Sequence, residues 1–149
     1  MGLVLNTMQV KIKRVDATLP LPTYHTTGAC TFDIYARETT VVPAGTLAHI
    51  PSNLIIEVPS GYVLQLSLRS STPKRLGLLM PNAPGLIDQD FCGPTDEIKV
   101  AVVNFTTEDV PIERGVRFAQ GTFVKIDRAE WQETDVIRTT DRSGFGSTG

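Results

Sequence analysis

"TLAHIPSNLIIEVPSGYVLQLSL", residues 46–68, holds three short apolar runs separated by two turn clusters, Pro51-Ser52-Asn53 and Pro59-Ser60-Gly61. Runs this short, rich in branched residues and cut by Pro, Ser, Asn and Gly, read as strands rather than helices. The pattern extends outward in both directions. "MQVKIKRV" (8–15) and "TFDIYA" (31–36) alternate apolar and polar residues, and "EIKVAVVNF" (97–105) and "GTFVKI" (121–126) are further β-branched runs. Ten prolines and twelve glycines supply the turns. Only "STPKRLGLL" (71–79) suits a helix, of one or two turns, with Pro73 near its start. The expected fold is all-β, a small antiparallel barrel or jelly roll. The chain shows no internal repeat and no linker before about residue 132.

A length of 149 residues suits one domain, and 41% hydrophobic with 20% charged residues is ordinary globular composition. A net charge of −2 and a pI near 5.6 argue against nucleic acid as a partner. They leave room for a local basic pocket that takes a small anion. No apolar run approaches the ~18 residues that span a bilayer, so no membrane partner is expected. "MGLVLNTMQVKIKRV" lacks the layout of a signal peptide, and Asn6 breaks the myristoylation pattern. Two cysteines (Cys30, Cys92) and two histidines (His25, His49) have no zinc spacing. They read as free thiols in a reducing compartment, which implies a cytoplasmic chain without a protein metal site.

Three stretches concentrate chemistry. In "MPNAPGLIDQDFCG" (80–93), Asn82, Pro84 and Gly85 set a turn, and Leu86 and Ile87 are apolar. Asp88 and Asp90 then stand two apart, which puts both carboxylates on one side of an extended segment. The plain reading is a hairpin; the functional one is a pocket with a carboxylate base and an aromatic platform at Phe91. In "SLRSSTPKRLG" (67–77), Arg69, Ser70 and Ser71 put a guanidinium fork beside hydroxyls and helix-start N–H groups, a chemistry suited to phosphate oxygens. The plain reading is a capped helix with a solvated basic face. "RGVRFAQGTF" (114–123) reads as a hairpin with Gln120 in its strand. Neither GxxxxGK[ST] nor GxGxxG nor HExxH nor GxSxG is present.

The order of the pieces carries more than any one of them. "GACTFDIYA", "RSS", "NAPGLIDQDFCG", "GVRFAQ" and a terminal "GFGSTG" resemble the five-motif series of the trimeric dUTP diphosphatases, from about residue 28 to 149. The resemblance implies a jelly-roll-like β barrel over residues 1–135, a flexible C-terminal arm over 136–149, and a homotrimer whose active sites are shared between copies. It implies hydrolysis of dUTP to dUMP and diphosphate, which limits uracil in DNA and supplies dUMP for dTMP synthesis. The implied cofactor is Mg2+, held through substrate phosphates and water. Asp88 falls on the family's water-activating aspartate. Asn82 and the backbone of Gly85, Leu86 and Ile87 fall on the hairpin that reads uracil. Phe91 stands where the family usually has tyrosine, against deoxyribose. Arg69, Ser70, Ser71 and Gln120 fall on phosphate-contacting positions, and Lys99 near another substrate-lining one. Asp33 matches a position that holds the site's basic groups in place. In the arm, Arg142, with Arg138 as the alternative, would meet phosphate. Phe145 would cover uracil, beside Gly146, Ser147 and Thr148.

Several features depart from the family pattern. Cys30-Thr31 replaces the usual Ala-Gly, and Pro94 to Asp96 are three extra residues ahead of Lys99. A dCTP deaminase, or a bifunctional enzyme, is the alternative within the same fold. It needs a carboxylate in the strand before Asn104, and Val100-Ala101-Val102-Val103 supplies none. A regulatory binding protein of this fold is the non-catalytic alternative.

Overall fold

Short β-branched runs fold here into eleven strands, and the computed structural model describes residues 6–146. In chain order the strands are β1 (Ile12–Arg14), β2 (Phe32–Tyr35), β3 (Thr40–Val42), β4 (Leu47–Pro51), β5 (Leu54–Ile56) and β6 (Tyr62–Leu68). A helix, α1 (Thr72–Leu76), follows. The chain then runs through β7 (Leu78–Leu79), β8 (Gly85–Ile87), β9 (Lys99–Asn104), β10 (Val110–Ile112) and β11 (Arg117–Lys125). All pairings are antiparallel.

A four-stranded sheet has the order β2-β11-β6-β8, and a three-stranded one β4-β9-β7. The pairs β1-β5 and β10-β3 complete the wrap. Strand β9 shows why the sequence folds this way: Val100, Val102 and Asn104 are buried, while Lys99, Ala101 and Val103 point outward. Phe118, Ile34, Ile50, Leu64, Leu66 and Leu78 fill the single core from both sheets. The result is the expected all-β, jelly-roll-like architecture. No helix among the described residues is long and apolar enough to cross a membrane.

The stretch 46–68 gives its three strands, β4, β5 and β6. Of "MQVKIKRV" only Ile12–Arg14 pair, because their partner β5 offers three residues. The helix has Pro in its first turn and stops at Gly77, whose φ of 63° is left-handed. A Cβ at Gly77 would also run into the Thr106 methyl. The last strand ends at Lys125, ten residues before the barrel boundary expected at 135, and the described residues beyond it, 126–146, are exposed.

Charged groups lock the loops at the β4–β5 turn. Arg37 grips Glu97 through two bonds, Nε to Oε1 at 2.7 Å and Nη2 to Oε2 at 3.0 Å. Glu97 Oε1 also accepts the Asn53 N–H at 2.9 Å. Asn53, itself left-handed at φ 71°, exchanges bonds with the Asp16 backbone. The Asp16 carboxylate accepts from the Thr18 hydroxyl, Arg114 and the Thr18 N–H, which hold it well below the usual carboxylate range.

Two outcomes follow from this network. Glu97→Ala strands the Arg37 guanidinium and the Asn53 N–H, so chemical denaturation should show a loss of about 2 kcal/mol; an unchanged midpoint would show the pair to be idle. The Asp16 stabilisation is present above the ordinary carboxylate pKa and fades as pH falls toward the depressed folded value. The melting temperature of Asp16→Asn should therefore lie below wild type at pH 6, and the gap should close below about pH 4. A gap that stays constant with pH would refute the account.

Candidate active site

The turn "MPNAPG" delivers the chain into β8, which pairs only with β6 through Leu64↔Ile87, Gln65↔Leu86 and Leu66↔Gly85. Gly85 is buried directly against Leu66, where a Cβ would sit 3.2 Å from the Leu66 Cβ. The close approach lets β8 lie flat as an edge strand, with its outer backbone groups outside the ladder. Beside it is a pocket of about 150 Å3 lined by Asn82, Gly85, Leu86 and Ile87, and also by His49, Met80 and Lys99. The structure thus brings five of the sequence-marked residues to one concavity. A larger groove, about 510 Å3, runs between Gln9–Lys11 and Glu57–Ser60. Of the marked stretches only "MPNAPGLIDQDFCG" reaches it, through Gln89, so the smaller pocket is the better candidate.

The stretch ahead of Lys99 is tied down. Gly93 to Asp96 form a closed turn: the Gly93 N–H donates to Asp96 Oδ2 at 2.7 Å, and the Asp96 N–H donates back to the Gly93 carbonyl at 3.1 Å. Lys99 then opens β9 opposite Pro51.

Asp88 and Asp90 correct the expectation of a shared face. The extended segment stops at Ile87, Gln89 and Asp90 lie in a turn, and the Phe91 N–H bonds to the Asp88 carbonyl at 3.4 Å. A turn removes the two-residue alternation, so Asp88 ends the extended segment and Asp90 lies in the turn after it, both exposed. Phe91 is half exposed beside it in sequence.

A second group gathers where β6 ends. Asp33 on β2, only 7% exposed, takes Arg69 Nε on Oδ1 at 3.1 Å and Arg117 Nη1 on Oδ2 at 3.2 Å. Arg69 Nη1 also donates to the Arg117 carbonyl at 3.3 Å. A register shift between Arg117 and Ala119 bulges β11 at this point and turns Arg117 toward β2. Gln120, opposite both Asp33 and Ser67 in the sheet, donates to the Ser67 hydroxyl at 3.1 Å and accepts from Thr31 at 3.2 Å. Ser71 occupies the N-cap of α1 but makes no capping bond, and Ser70 is exposed, so both hydroxyls are uncommitted to the helix. This cluster contains the expected Arg69, Ser70, Ser71, Gln120 and Asp33. It adds Arg117 and His25, whose Nε2 lies 3.1 Å from Asp33 Oδ2. Sequence reading passed over both, although a lone Arg inside "GVRFAQ" was the available signal.

Arg138, Arg142, Phe145 and Gly146 lie in the exposed stretch after β11, with Phe145 fully exposed at 114%. Ser147 and Thr148 lie outside the described residues. The hairpin pocket and the arginine cluster occupy two stations along β6, from Leu66 to Arg69.

Known proteins share this sequence pattern and fold. The dUTPase family model matches residues 17–149. Deoxyuridine 5'-triphosphate nucleotidohydrolase of Anaplasma marginale is 40% identical over 149 residues, covering 95% of this chain and 99% of that one. The crystal structure of dUTPase from Streptococcus mutans superposes with a TM-score of 0.74 at 28% identity, over 80% of this chain and 98% of that one. Staphylococcus bacteriophage 80alpha dUTPase with dUPNHPP reaches a TM-score of 0.84 over 96% of this chain and 99% of that one, at 21% identity. A family model spanning the pocket, the arginine cluster and the arm, together with full-length relatives at this identity, places the chain in the dUTPase family.

Proposed function

We propose that this chain hydrolyses dUTP to dUMP and diphosphate, by attack of an Asp88-activated water on the α-phosphorus. The observation that carries the reading is the edge strand β8, whose free backbone edge lines a pocket with Asn82 and Lys99 and leads straight to an exposed carboxylate. Fixed backbone donors and acceptors suit the uracil edge. Cytosine would present an amino group to a donor and leave it unpaired. Phe91 offers a ring face to deoxyribose and no room for a 2′-hydroxyl.

Arg69, Arg117, Ser70, Ser71 and Gln120 supply donors for the phosphate chain. The carboxylate of Asp88 takes a proton from water as the oxygen attacks in line, and diphosphate leaves. Among the described residues no three His, Cys, Asp or Glu side chains gather as a metal cage. Mg2+ would be carried on the substrate phosphates and water, where a hard carboxylate such as Asp88 suits it. When bound there, Mg2+ neutralises charge on the phosphate oxygens.

The hairpin pocket and the arginine cluster are two partial sites, and the arm packs on neither. A homotrimer in which one copy's pocket meets another's arginines, closed by an arm bearing Arg142 and Phe145, completes the chemistry. Exposed Leu47 and Leu79, near-neighbours on the β4-β9-β7 sheet, offer apolar surface for such contacts. A cytoplasmic trimer of this kind would keep uracil out of DNA and supply dUMP for dTMP synthesis.

Diphosphate release from dUTP should exceed that from dCTP, dTTP and UTP by orders of magnitude in the presence of Mg2+, and Asp88→Ala should lose about 10^3-fold in kcat. Equal release by wild type and Asp88→Ala would sink the catalytic assignment. Comparable use of dCTP would sink the hairpin account. Deleting residues 144–149 should leave the mass of a trimer in light scattering while kcat falls at least tenfold; undiminished turnover would show the arm to be a bystander.

A further inference from the structure

His25 lies on the exposed loop between β1 and β2, and the proposed reaction makes no use of it. Its Nε2 is 3.0 Å from Arg117 Nη1 and 3.1 Å from Asp33 Oδ2, and those two atoms are themselves 3.2 Å apart. Three polar atoms therefore form a closed triangle. A guanidinium nitrogen can only donate, so its contact with Nε2 needs the ring's lone pair. An ionised carboxylate can only accept, so its contact with Nε2 needs an N–H. One nitrogen cannot offer both. The two contacts are alternatives, and a proton chooses between them.

We propose that His25 is a positioning residue for the phosphate-binding arginines, its protonation exchanging an Arg117-holding contact for an Asp33 ion pair and freeing Arg117 toward the triphosphate. This rests on the reading of Arg69 and Arg117 as phosphate ligands.

With a neutral ring, Arg117 Nη1 can spend one hydrogen on His25 and one on Asp33, which draws it back toward β2. With a charged ring, Nε2–H donates to Asp33 Oδ2, and Arg117 faces a like charge at hydrogen-bond distance. The cluster of Asp33, Arg69 and Arg117 carries a formal charge of +1, since −1 + 1 + 1 = +1, and protonation of His25 raises it to +2. A polyanion binds the second state better, and by reciprocity its binding favours the proton. The charged groups facing the ring are Asp33 from β2 and Arg117 from β11, with Arg69 after β6 on the far oxygen of Asp33. On its own loop, Tyr24 packs edge-on against Phe32 at 5.8 Å between centroids, and burial, then Cys30, pushes its hydroxyl up and keeps it neutral. Histidine is the side chain that changes charge between pH 5 and 8 without special tuning.

The test is the KM for dUTP from pH 5.5 to 8.5 in wild type and His25→Gln. Dividing each profile by that of His25→Gln removes the titration of the nucleotide itself. The wild-type KM, so divided, should fall about fivefold on going to pH 5.5, with no matching step in kcat. In parallel, the NMR titration midpoint of the His25 ring in wild type should move upward when a non-hydrolysable dUTP analogue is added. A flat ratio, or a midpoint that does not move upward with the analogue, overturns the proposal while dUTP hydrolysis stands. A wild type that releases no diphosphate at any pH overturns the phosphate reading, and this inference with it.

Discussion

A carboxylate taken out of water must find positive charge, and Asp33 finds two guanidinium groups from distant parts of the chain. That need organises one end of the molecule. Asp33 sits opposite Gln120 in the β2–β11 register, and Gln120 sits opposite Ser67 in the β11–β6 register. Three strands are thereby aligned so that Arg69, following β6, and Arg117, opening β11, converge on one side chain. The bulge at Arg117 is the backbone's contribution: without the register shift, strand alternation would send that side chain elsewhere. A fold that keeps Asp33 satisfied keeps two arginines side by side, where like charges would otherwise push them apart.

The same strand fixes what the arginines cannot reach. Leu66 packs on Gly85, and Arg69 lies three residues on, roughly 10 Å at strand rise. A base held at β8 and a phosphate held at Arg69 would then be addressed by the middle and the C-terminal end of β6. The exposed stretch beyond Lys125 carries Trp131, Ile137 and Phe145 without packing them on its own chain. Partial sites, unpacked aromatic residues and apolar sheet surface are three costs of a lone chain, and association between copies would remove all three together.

The strands within 46–68 were legible because Pro-Ser-Asn and Pro-Ser-Gly clusters bound each apolar run on both sides. β3 and β10 were not, since three residues each, paired as Val41↔Pro111 and its neighbours, are too short to show alternation. β8 read as part of a turn for the same reason. The Asp88–Asp90 alternation misled because period two holds only while the backbone stays extended, and it turns after Asp88. Asp88, Asn82, Lys99 and Arg69 could be picked out through motif resemblance. Arg117 could not be linked to Asp33 or His25 by any local pattern, because it reaches both across more than eighty residues of chain.

The turn Pro94 to Asp96 stands beside a site, and both of its ends are tied. Gly93 is fixed by the Asp96 carboxylate, in a conformation where a Cβ would stand 2.8 Å from that oxygen. Glu97 is fixed by Arg37 and the Asn53 N–H, and Ile98 by reciprocal backbone bonds to Ser52 and Leu54. Lys99 thus enters β9 from an anchored residue, whatever the turn before it does. The network that stabilises the β4–β5 turn therefore also sets the position of a pocket-lining lysine, which joins the stability of this barrel to the geometry of its site.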